Sequence, residues 1–162
     1  MTDISYRYRI ANEDLQIVQE FIGEVPVKVG ALAEALGLKV VVATLPMNIS
    51  GLIKPDGNRF VIKVNRFESK ERQRFTIAHE IAHYLIHRDH IRSGIVDSVL
   101  YRSKLSSRTE AEANKLAADI IMPMGLVSRH LSGLVGADRD DTVGALSELF
   151  NVSRQAMEIR LG

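Results

Sequence analysis

The chain has 162 residues, of which 46% are apolar and 25% are charged. This composition is typical of one globular domain, since it is too apolar for a disordered chain and too charged for a membrane bundle. The absence of cysteine excludes disulfide scaffolds, cysteine-ligated zinc, thiol nucleophiles and iron–sulfur clusters. A net charge of +1 gives no general attraction to nucleic acid. Because the N-terminus is too polar for a signal peptide and no apolar run could span a bilayer, we expect a cytoplasmic protein with no membrane partner.

The first half of the sequence predicts two helices followed by a small sheet. Residues 12–22 carry apolar side chains at helical spacing, and Pro26 is expected to open a second helix. Residues 38–43 form a run rich in β-branched side chains, which is typical of a buried strand. Residues 50–54 and 59–64 flank a Pro-Asp-Gly-Asn segment, and this turn chemistry predicts a β-hairpin. We therefore expect a sheet of three strands.

The second half predicts five helices, with a long loop after the first. Residues 68–87 are the longest helical segment and carry one apolar stripe. Residues 88–106 mix charges, glycine and short apolar pairs, which predicts a loop. Ser107 or Thr109 is expected to cap the next helix, which ends near Ile121, before a proline. The remaining predicted helices cover residues 123–130, 140–149 and 153–161. The expected fold class is α+β and rich in helix.

The longest predicted helix contains an H-E-x-x-H motif formed by His79, Glu80 and His83. Two histidines four positions apart share one face of a helix, so both imidazoles can reach one metal ion. Glu80 lies beside that face and can take a proton from a metal-bound water. The alternative is a helix that merely exposes its histidines, but the helical context is the one that this chemistry requires.

A catalytic zinc site needs a third protein ligand, which in a chain without cysteine must be His, Asp or Glu. His87 lies two helical turns after His79, about 12 Å along the helix axis, which is too far for one ion to join both together with His83. The third ligand should therefore come from another helix. Glu110 and Glu112 are the best candidates, because they open the helix that follows the long loop.

Spacing alone does not decide whether Glu110 or Glu112 is the third ligand. Each acid also completes a capping box, with Ser107 and Thr109 respectively, and acids in a first turn suit the helix dipole. If Glu110 is the ligand, Asn114 follows one turn later on the same face. It can then hydrogen-bond a ligand imidazole from behind and fix its tautomer. Otherwise Asn114 is a polar residue that faces solvent.

The two motifs together resemble the ImmA/IrrE-type metallo-endopeptidases. The H-E-x-x-H motif is followed at residues 110–123 by E-x-x-A-N-x-x-A-A-x-x-x-M-P, whose first Glu is Glu110. Residues 150–161 read F-N-V-S-x-x-A-M-x-x-R-L and are similar to the closing helix of the family. The resemblance covers residues 25–161, and Leu116 stands where an aromatic residue is common.

The resemblance implies a zincin-like single domain over residues 25–162, preceded by a helical extension over residues 1–24. It implies that His79, His83 and Glu110 hold zinc, with manganese possible for the same donors, and that Glu80 moves the proton. It thereby favours Glu110 over Glu112, and we expect Glu110→Ala to lower metal affinity severely and Glu112→Ala not to.

The resemblance also implies a protein substrate. Members of the family often inactivate an XRE-type helix-turn-helix repressor by one site-specific cut, which releases stress or mobile-element genes. Others act in toxin–antitoxin-like pairs. The implied activity for this chain is therefore hydrolysis of one peptide bond in a transcriptional repressor.

The sequence leaves the oxyanion stabiliser and the substrate contact open. Four residues are candidates to stabilise the oxyanion, although we favour a packing or surface role for each of them: Tyr84, His87, His90 and Tyr101. The predicted strand at residues 59–64 is expected either to pair with an extended substrate through an exposed edge or to be an ordinary edge strand blunted by charge.

Residues 140–161 have the rhythm of a helix-turn-helix element, with an apolar helix, a turn at Asn151 and a Ser-capped second helix. A DNA reader is one interpretation. However, the second helix offers only Arg154 and Arg160 as basic residues, and the segment before it holds Asp138, Asp140 and Asp141, which repel phosphate. We therefore favour a structural or partner-docking role and do not expect direct DNA binding.

Two functions from different classes remain. The first is a zinc-dependent endopeptidase that acts on a repressor. The second is a non-catalytic, antitoxin-like regulatory protein with a metal-binding fold that sequesters a protein or contacts DNA. The intact Glu80 favours the first, because a protein that only binds has no need of a general base.

Overall fold

The computed structural model describes residues 4–93, 95–98 and 107–162. The helices and strands follow one another as α1 Asn12–Phe21, α2 Val29–Ala35, β1 Leu38–Ala43, β2 Ile49–Asp56, β3 Arg59–Asn65, α3 Lys70–Ile86, β4 Ile95–Ser98, α4 Ser107–Ile121, α5 Met124–Ser132, α6 Arg139–Phe150 and α7 Arg154–Leu161. Short 3-10 helices cover Arg7–Arg9 and Arg88–Ser93. None of the helices in these ranges combines the length and hydropathy that crossing a membrane requires. The α+β, helix-rich class predicted from the sequence is confirmed.

The sheet has four strands in the order β1-β3-β2-β4, so the three predicted strands are present and a fourth joins them. β2 and β3 form the predicted antiparallel hairpin, and the chain turns at Gly57 and Asn58. β4 pairs antiparallel with β2. It lies in the segment that the sequence predicted to be a loop, because four residues are too few to establish a strand by alternation.

The prediction that residues 59–64 form an exposed edge is wrong. β3 lies inside the sheet, parallel to β1 on one side and antiparallel to β2 on the other. Val61, Ile62 and Val64 are buried. Since the backbone groups of β3 are used on both sides, this strand offers no edge to an extended substrate. Among the described strands, the edges of the sheet are β1 and β4.

α3 packs between the sheet and α4. It begins after Ser69, whose hydroxyl accepts a hydrogen bond from the Arg72 N–H at 3.2 Å and caps the helix. Ala78, Ala82 and Leu85 of the predicted stripe are buried in the core. The longest helix is thus buried on several sides, which holds its polar residues in fixed positions.

The other helices differ from the predictions mainly at their ends. α2 begins at Val29, three residues after Pro26, because Val27 is buried in a non-helical segment before it. α4 already includes Ser107, so Thr109 lies in the first turn instead of capping the helix. α6 and α7 pack on each other, with Asn151 in the left-handed conformation (φ 58°) between them.

Candidate metal centre

The later half of α3 places His79, Glu80 and His83 in the interior, where all three are buried. Because four residues make about one helical turn, the two histidines lie one above the other. Their ring centroids are 4.7 Å apart, with the ring planes perpendicular. The two Nε2 atoms face each other at 3.1 Å. The motif therefore presents two imidazole nitrogens at one point in space.

Glu110, in the first turn of α4, brings a carboxylate to the same point. Its Oε2 lies 3.2 Å from Nε2 of His79, and its Oε1 lies 3.0 Å from Nε2 of His83. Ligand atoms of the three side chains all lie within 4.8 Å of one another. The Glu110 side chain keeps 23% of its surface exposed, so the group is accessible from solvent.

The dimensions of this group suit zinc. Tetrahedral ligands that lie about 2.1 Å from zinc are about 3.4 Å apart, close to the three separations measured here. Two imidazoles and one carboxylate also form a known donor set of catalytic zinc, in which a fourth position is left for water or substrate. The residues His79, His83 and Glu110 can therefore hold a divalent metal ion without rearrangement of the backbone.

Asn114 orients the ring of His79. Its Oδ1 lies 2.8 Å from Nδ1 of His79. Since an amide oxygen only accepts hydrogen bonds, Nδ1 of His79 must donate and therefore carries the proton. The lone pair of the neutral ring is then on Nε2, the atom that faces Glu110. Asn114 thus selects the tautomer that a metal ligand needs.

His87 and Glu112 orient the ring of His83 in a similar way. Nε2 of His87 donates to Oε1 of Glu112 at 2.9 Å, and Nδ1 of His87 lies 3.0 Å from Nδ1 of His83. Burial lowers the pKa of His87 and so favours its neutral form, although the hydrogen bond to Glu112 opposes this effect. A neutral His87 that donates from Nε2 accepts at Nδ1. His83 then donates from Nδ1 and leaves its Nε2 lone pair for a metal.

Arg9 completes this chain of contacts from the N-terminal segment. Its Nη1 lies 3.1 Å from Oε2 of Glu112, and its Nη2 donates to the Ile86 carbonyl at 3.3 Å. The hydrogen bond from His87, followed by that from Arg9, holds the pKa of Glu112 below its usual range. Glu112 is therefore a carboxylate that supports His87.

The sequence did not reveal this arrangement. It presented Glu112 as a rival ligand and His87 as an oxyanion candidate, and it assigned no role to Arg9. The four-residue spacing of His83 and His87 on one helix is a signal for their contact. Nothing in the spacing of Glu112 or Arg9 indicates that they meet His87, because they come from two other segments of the chain.

Glu80 lies at a point where α3 and β2 come very close together. A Cβ atom on Gly51 of β2 would overlap Cγ2 of Thr76, would lie 2.8 Å from the Lys63 carbonyl oxygen and would be 3.6 Å from Oε2 of Glu80. Only glycine leaves room for this approach. The Glu80 carboxylate is thus buried beside the sheet.

The structure separates the oxyanion candidates. Tyr84 packs edge-on against Phe60, with the Arg88 guanidinium 3.9 Å from its ring centroid, and burial raises the pKa of its hydroxyl. His87 lies behind His83 and bonds to Glu112. His90 is exposed beyond His87, with ring centroids 6.0 Å apart. Tyr101 lies outside the described residues. For all four, catalytic participation stays a prediction.

A cavity of about 860 Å³ opens beside the His-His-Glu group. His79, Glu110 and Asn114 form part of its wall, and the remainder comes mostly from α3, α4 and α7. A volume of this size lies within the range of roughly 300–1,000 Å³ that is typical of ligand pockets. The metal centre therefore has a space beside it that can accept part of a bound molecule.

An H-E-x-x-H helix that faces a glutamate from a second helix, beside a mixed sheet and an open cavity, defines the class of metallopeptidases. The chain belongs to the peptidase M78 family, described as the IrrE N-terminal-like domain, whose profile matches residues 33–162. This match confirms the family resemblance drawn from the sequence. The family supports a metallopeptidase kind of activity, and its members are typically dependent on a metal.

Among solved structures, the chain is similar to a Mycobacterium tuberculosis transcriptional regulator, with a TM-score of 0.60 and 17% sequence identity. The similarity covers 96% of this chain and 48% of that chain. This chain therefore spans about half the length of that protein, and at this identity the similarity concerns the fold alone. No curated protein matches the sequence.

Proposed function

We propose that the protein is a zinc-dependent endopeptidase in which His79, His83 and Glu110 hold the metal and Glu80 is the catalytic residue. The observation that carries this proposal is the convergence of two imidazole Nε2 atoms and one carboxylate, with the buried Glu80 directly after His79 on the same helix. The same donors accept manganese, so the proposal concerns a divalent ion and favours zinc.

When bound, zinc supplies a Lewis acid that polarises the scissile carbonyl and lowers the pKa of a water. The Glu80 carboxylate accepts the proton of the attacking water and later donates it to the nitrogen of the leaving amine. Asn114 on one side, and His87 with Glu112 on the other, keep the Nε2 lone pairs of His79 and His83 directed at one point. The buried position of Glu80 limits the number of rotamers it can adopt, which favours one productive geometry.

We further propose that the substrate is an XRE-type helix-turn-helix repressor that is cut at one site, with release of stress or mobile-element genes. The family resemblance supports this choice. A repressor substrate places the reaction in the cytoplasm, where such proteins bind DNA.

The decisive experiment is coexpression of the protein with the helix-turn-helix repressor encoded nearest its gene, followed by intact-mass analysis. Wild type should yield one fragment pair, and Glu80→Gln should yield none while it keeps zinc and the fold. The variant removes only the proton acceptor, because Gln is close to Glu in size and shape. Full cleavage by Glu80→Gln would contradict the proposed mechanism.

The same experiment tests the second function, a regulatory protein that sequesters its partner without cleaving it. An intact repressor that copurifies equally with wild type and Glu80→Gln would support sequestration. Among the described contacts of α7, Arg154 pairs with Asp140 at 2.6 Å and Arg160 pairs with Asp119 at 2.9 Å. Because both arginines are used inside the chain, sequestration of a protein is favoured over contact with DNA.

A further inference from the structure

The cavity beside the metal centre connects two features that the proposed function leaves unrelated, the metal ligands and the helix-turn-helix-like end of the chain. Its wall runs from His79 and Glu110 to Ala156 and Ile159 of α7. We call the space between α3, α4 and α7 the α7 groove. Whatever occupies this groove is in reach of the metal centre at one end and of α7 at the other.

The inner wall of the α7 groove is largely apolar. Phe75 from α3, Ala118 from α4, Met122 and the two α7 residues Ala156 and Ile159 all line it. Ile159 keeps 74% of its surface exposed. A single exposed aliphatic residue is ordinary on a protein surface, but one that lines a cavity together with other apolar side chains marks a place where apolar groups bind.

Apart from Glu110, the charged residues that line the groove are Glu71, Arg72, Lys115 and Arg160. Arg160 lines the cavity, but its guanidinium is held by Asp119 at 2.9 Å and by the Met122 carbonyl at 2.9 Å. Nε of Arg72 lies 3.9 Å from Oε2 of Glu68, and the Arg72 side chain is half-exposed. An apolar ligand can therefore enter without the desolvation of an unpaired charge at Arg160.

Among the described residues that line the groove, none belongs to an edge strand of the sheet. Ser50 of β2 is the one strand residue in the lining among the described residues. β2 is paired with β3 on one side and with β4 on the other. A polypeptide in the groove cannot pair with β2, so at this strand the contacts come from side chains.

We propose that the α7 groove binds an apolar segment of the substrate polypeptide that adjoins the scissile bond, and that Ile159 determines specificity for it. This proposal rests on the proposed endopeptidase function, since a bond at the metal centre places the neighbouring residues of the same polypeptide in the groove. The occupant is thus the substrate itself, and the helix-turn-helix-like element serves as a wall of its binding site.

A selection from random peptides tests this assignment and does not require an identified substrate. Zinc-loaded Glu80→Gln protein is immobilised and presented with a phage-displayed library of random peptides, and the retained sequences are read. We expect them to share large aliphatic or aromatic residues. Adding Ile159→Asp should lower their retention by about tenfold or more, the effect of losing one buried apolar anchor. Adding Ile159→Leu should preserve it.

Val135→Asp is the matched control. Val135 is also an aliphatic residue, it is 87% exposed, and it does not line the groove. Both positions are exposed enough that neither change should alter the melting temperature. Equal retention by the Ile159→Asp and Val135→Asp proteins, a polar consensus or no consensus at all would overturn the proposal. So would a dimer of the parent protein that Ile159→Asp dissociates in light scattering, because the groove would then hold a second copy.

Incubation of the selected peptides with zinc-loaded protein that keeps Glu80 separates the two proposals. Peptides that bind through Ile159 and are cut support both. Peptides that bind through Ile159 and stay intact support the groove as an apolar peptide-binding site and contradict the endopeptidase function. Peptides that are cut equally by wild type and Ile159→Asp support the endopeptidase and overturn the groove assignment.

Discussion

Glu110 and Glu112 lie two positions apart on α4, yet their carboxylates have different neighbours. Residues two apart on a helix differ by about 200° in direction, so the side chains leave α4 on different sides. Glu110 contacts Nε2 of both His79 and His83. Glu112 contacts His87 and Arg9. Two glutamates that fit the same sequence pattern thus have different surroundings. Glu110 faces the candidate metal ligands, and Glu112 faces residues that orient one of them.

Zinc affinity should distinguish the two acids. Glu110→Ala removes a donor and should abolish tight zinc binding. Glu112→Ala keeps all three donors but frees His87, and with it the orientation of His83, so it should weaken zinc binding by about 10–100-fold. The sequence predicted that Glu112→Ala does not lower the affinity severely, and the contact of Glu112 with His87 leads us to expect this intermediate loss. Competition against a chromogenic zinc chelator measures both effects.

Glu148→Ala is the control for these variants, because Glu148 is an exposed glutamate on α6. Its zinc affinity should equal that of wild type. A larger loss for Glu112→Ala than for Glu110→Ala would mean that Glu112 holds the metal. No loss for Glu112→Ala would mean that the ring of His83 is oriented without it.

The chemistry of the site was more predictable from the sequence than its supporting contacts. Residue type and helical spacing were enough to single out His79, Glu80 and His83, because metal chemistry restricts both. The chain from His83 through His87 and Glu112 to Arg9 joins three distant segments. Contacts between segments depend on which helices pack together, and no local spacing in the sequence specifies that.

The approach of α3 to the sheet depends on one glycine. A Cβ on Gly51 would lie 2.8 Å from a backbone carbonyl oxygen of β3 and would overlap Thr76 of α3. The carbonyl cannot move without breaking the pairing of β2 and β3, so α3 itself would have to shift. Since Glu80 lies on the same part of α3, its carboxylate would shift as well.

Gly51→Ala should therefore lower the free energy of unfolding by about 1–3 kcal/mol, the usual cost of overpacking a core. Gly30→Ala is the matched control: Gly30 lies in α2, with no atom within 4 Å of the position of an added Cβ. That variant should stabilise the protein by up to about 1 kcal/mol, because alanine is the better helix former. Urea denaturation of zinc-free protein measures both. Equal stability of Gly51→Ala and wild type would mean that α3 is not held by this contact.

Local sequence patterns predicted the strands but not their order in the sheet. Their sequences predicted β1, β2 and β3, because runs of β-branched residues and a turn motif are local signals. The parallel pairing of β1 with β3, with Val40 opposite Ile62, is not local, and it moved β3 from the edge to the interior of the sheet. Strand order decides which edge is open to a ligand, so the expected substrate edge at β3 was wrong although the strand itself was present.

The N-terminal segment, α4 and α7 meet at Asp119. One Asp119 oxygen accepts a hydrogen bond from the Ser5 N–H at 2.8 Å, and the other pairs with Arg160 of α7 at 2.9 Å. Ile4 and Ile10 are buried in the core. The segment before residue 33 lies outside the family match, but it is packed into the same core and reaches Glu112 through Arg9. The ends of the described chain thus stabilise the helix that carries Glu110.

The two arginines of α7 should have different roles in the whole molecule. The Arg160–Asp119 pair is largely buried, so Arg160→Ala should lower the free energy of unfolding by about 1–3 kcal/mol, since Asp119 keeps only the Ser5 bond. The Arg154–Asp140 pair is exposed, so Arg154→Ala should cost less than about 1 kcal/mol. Denaturant titration measures both changes in the free energy of unfolding. A gel-shift assay with duplex DNA at physiological salt should show no binding by wild type or by either variant. If wild type instead bound DNA, and both variants kept full stability but bound it less tightly, α7 would be a DNA-binding helix. Each arginine would then contribute to DNA affinity through a phosphate contact and not to the stability of the fold.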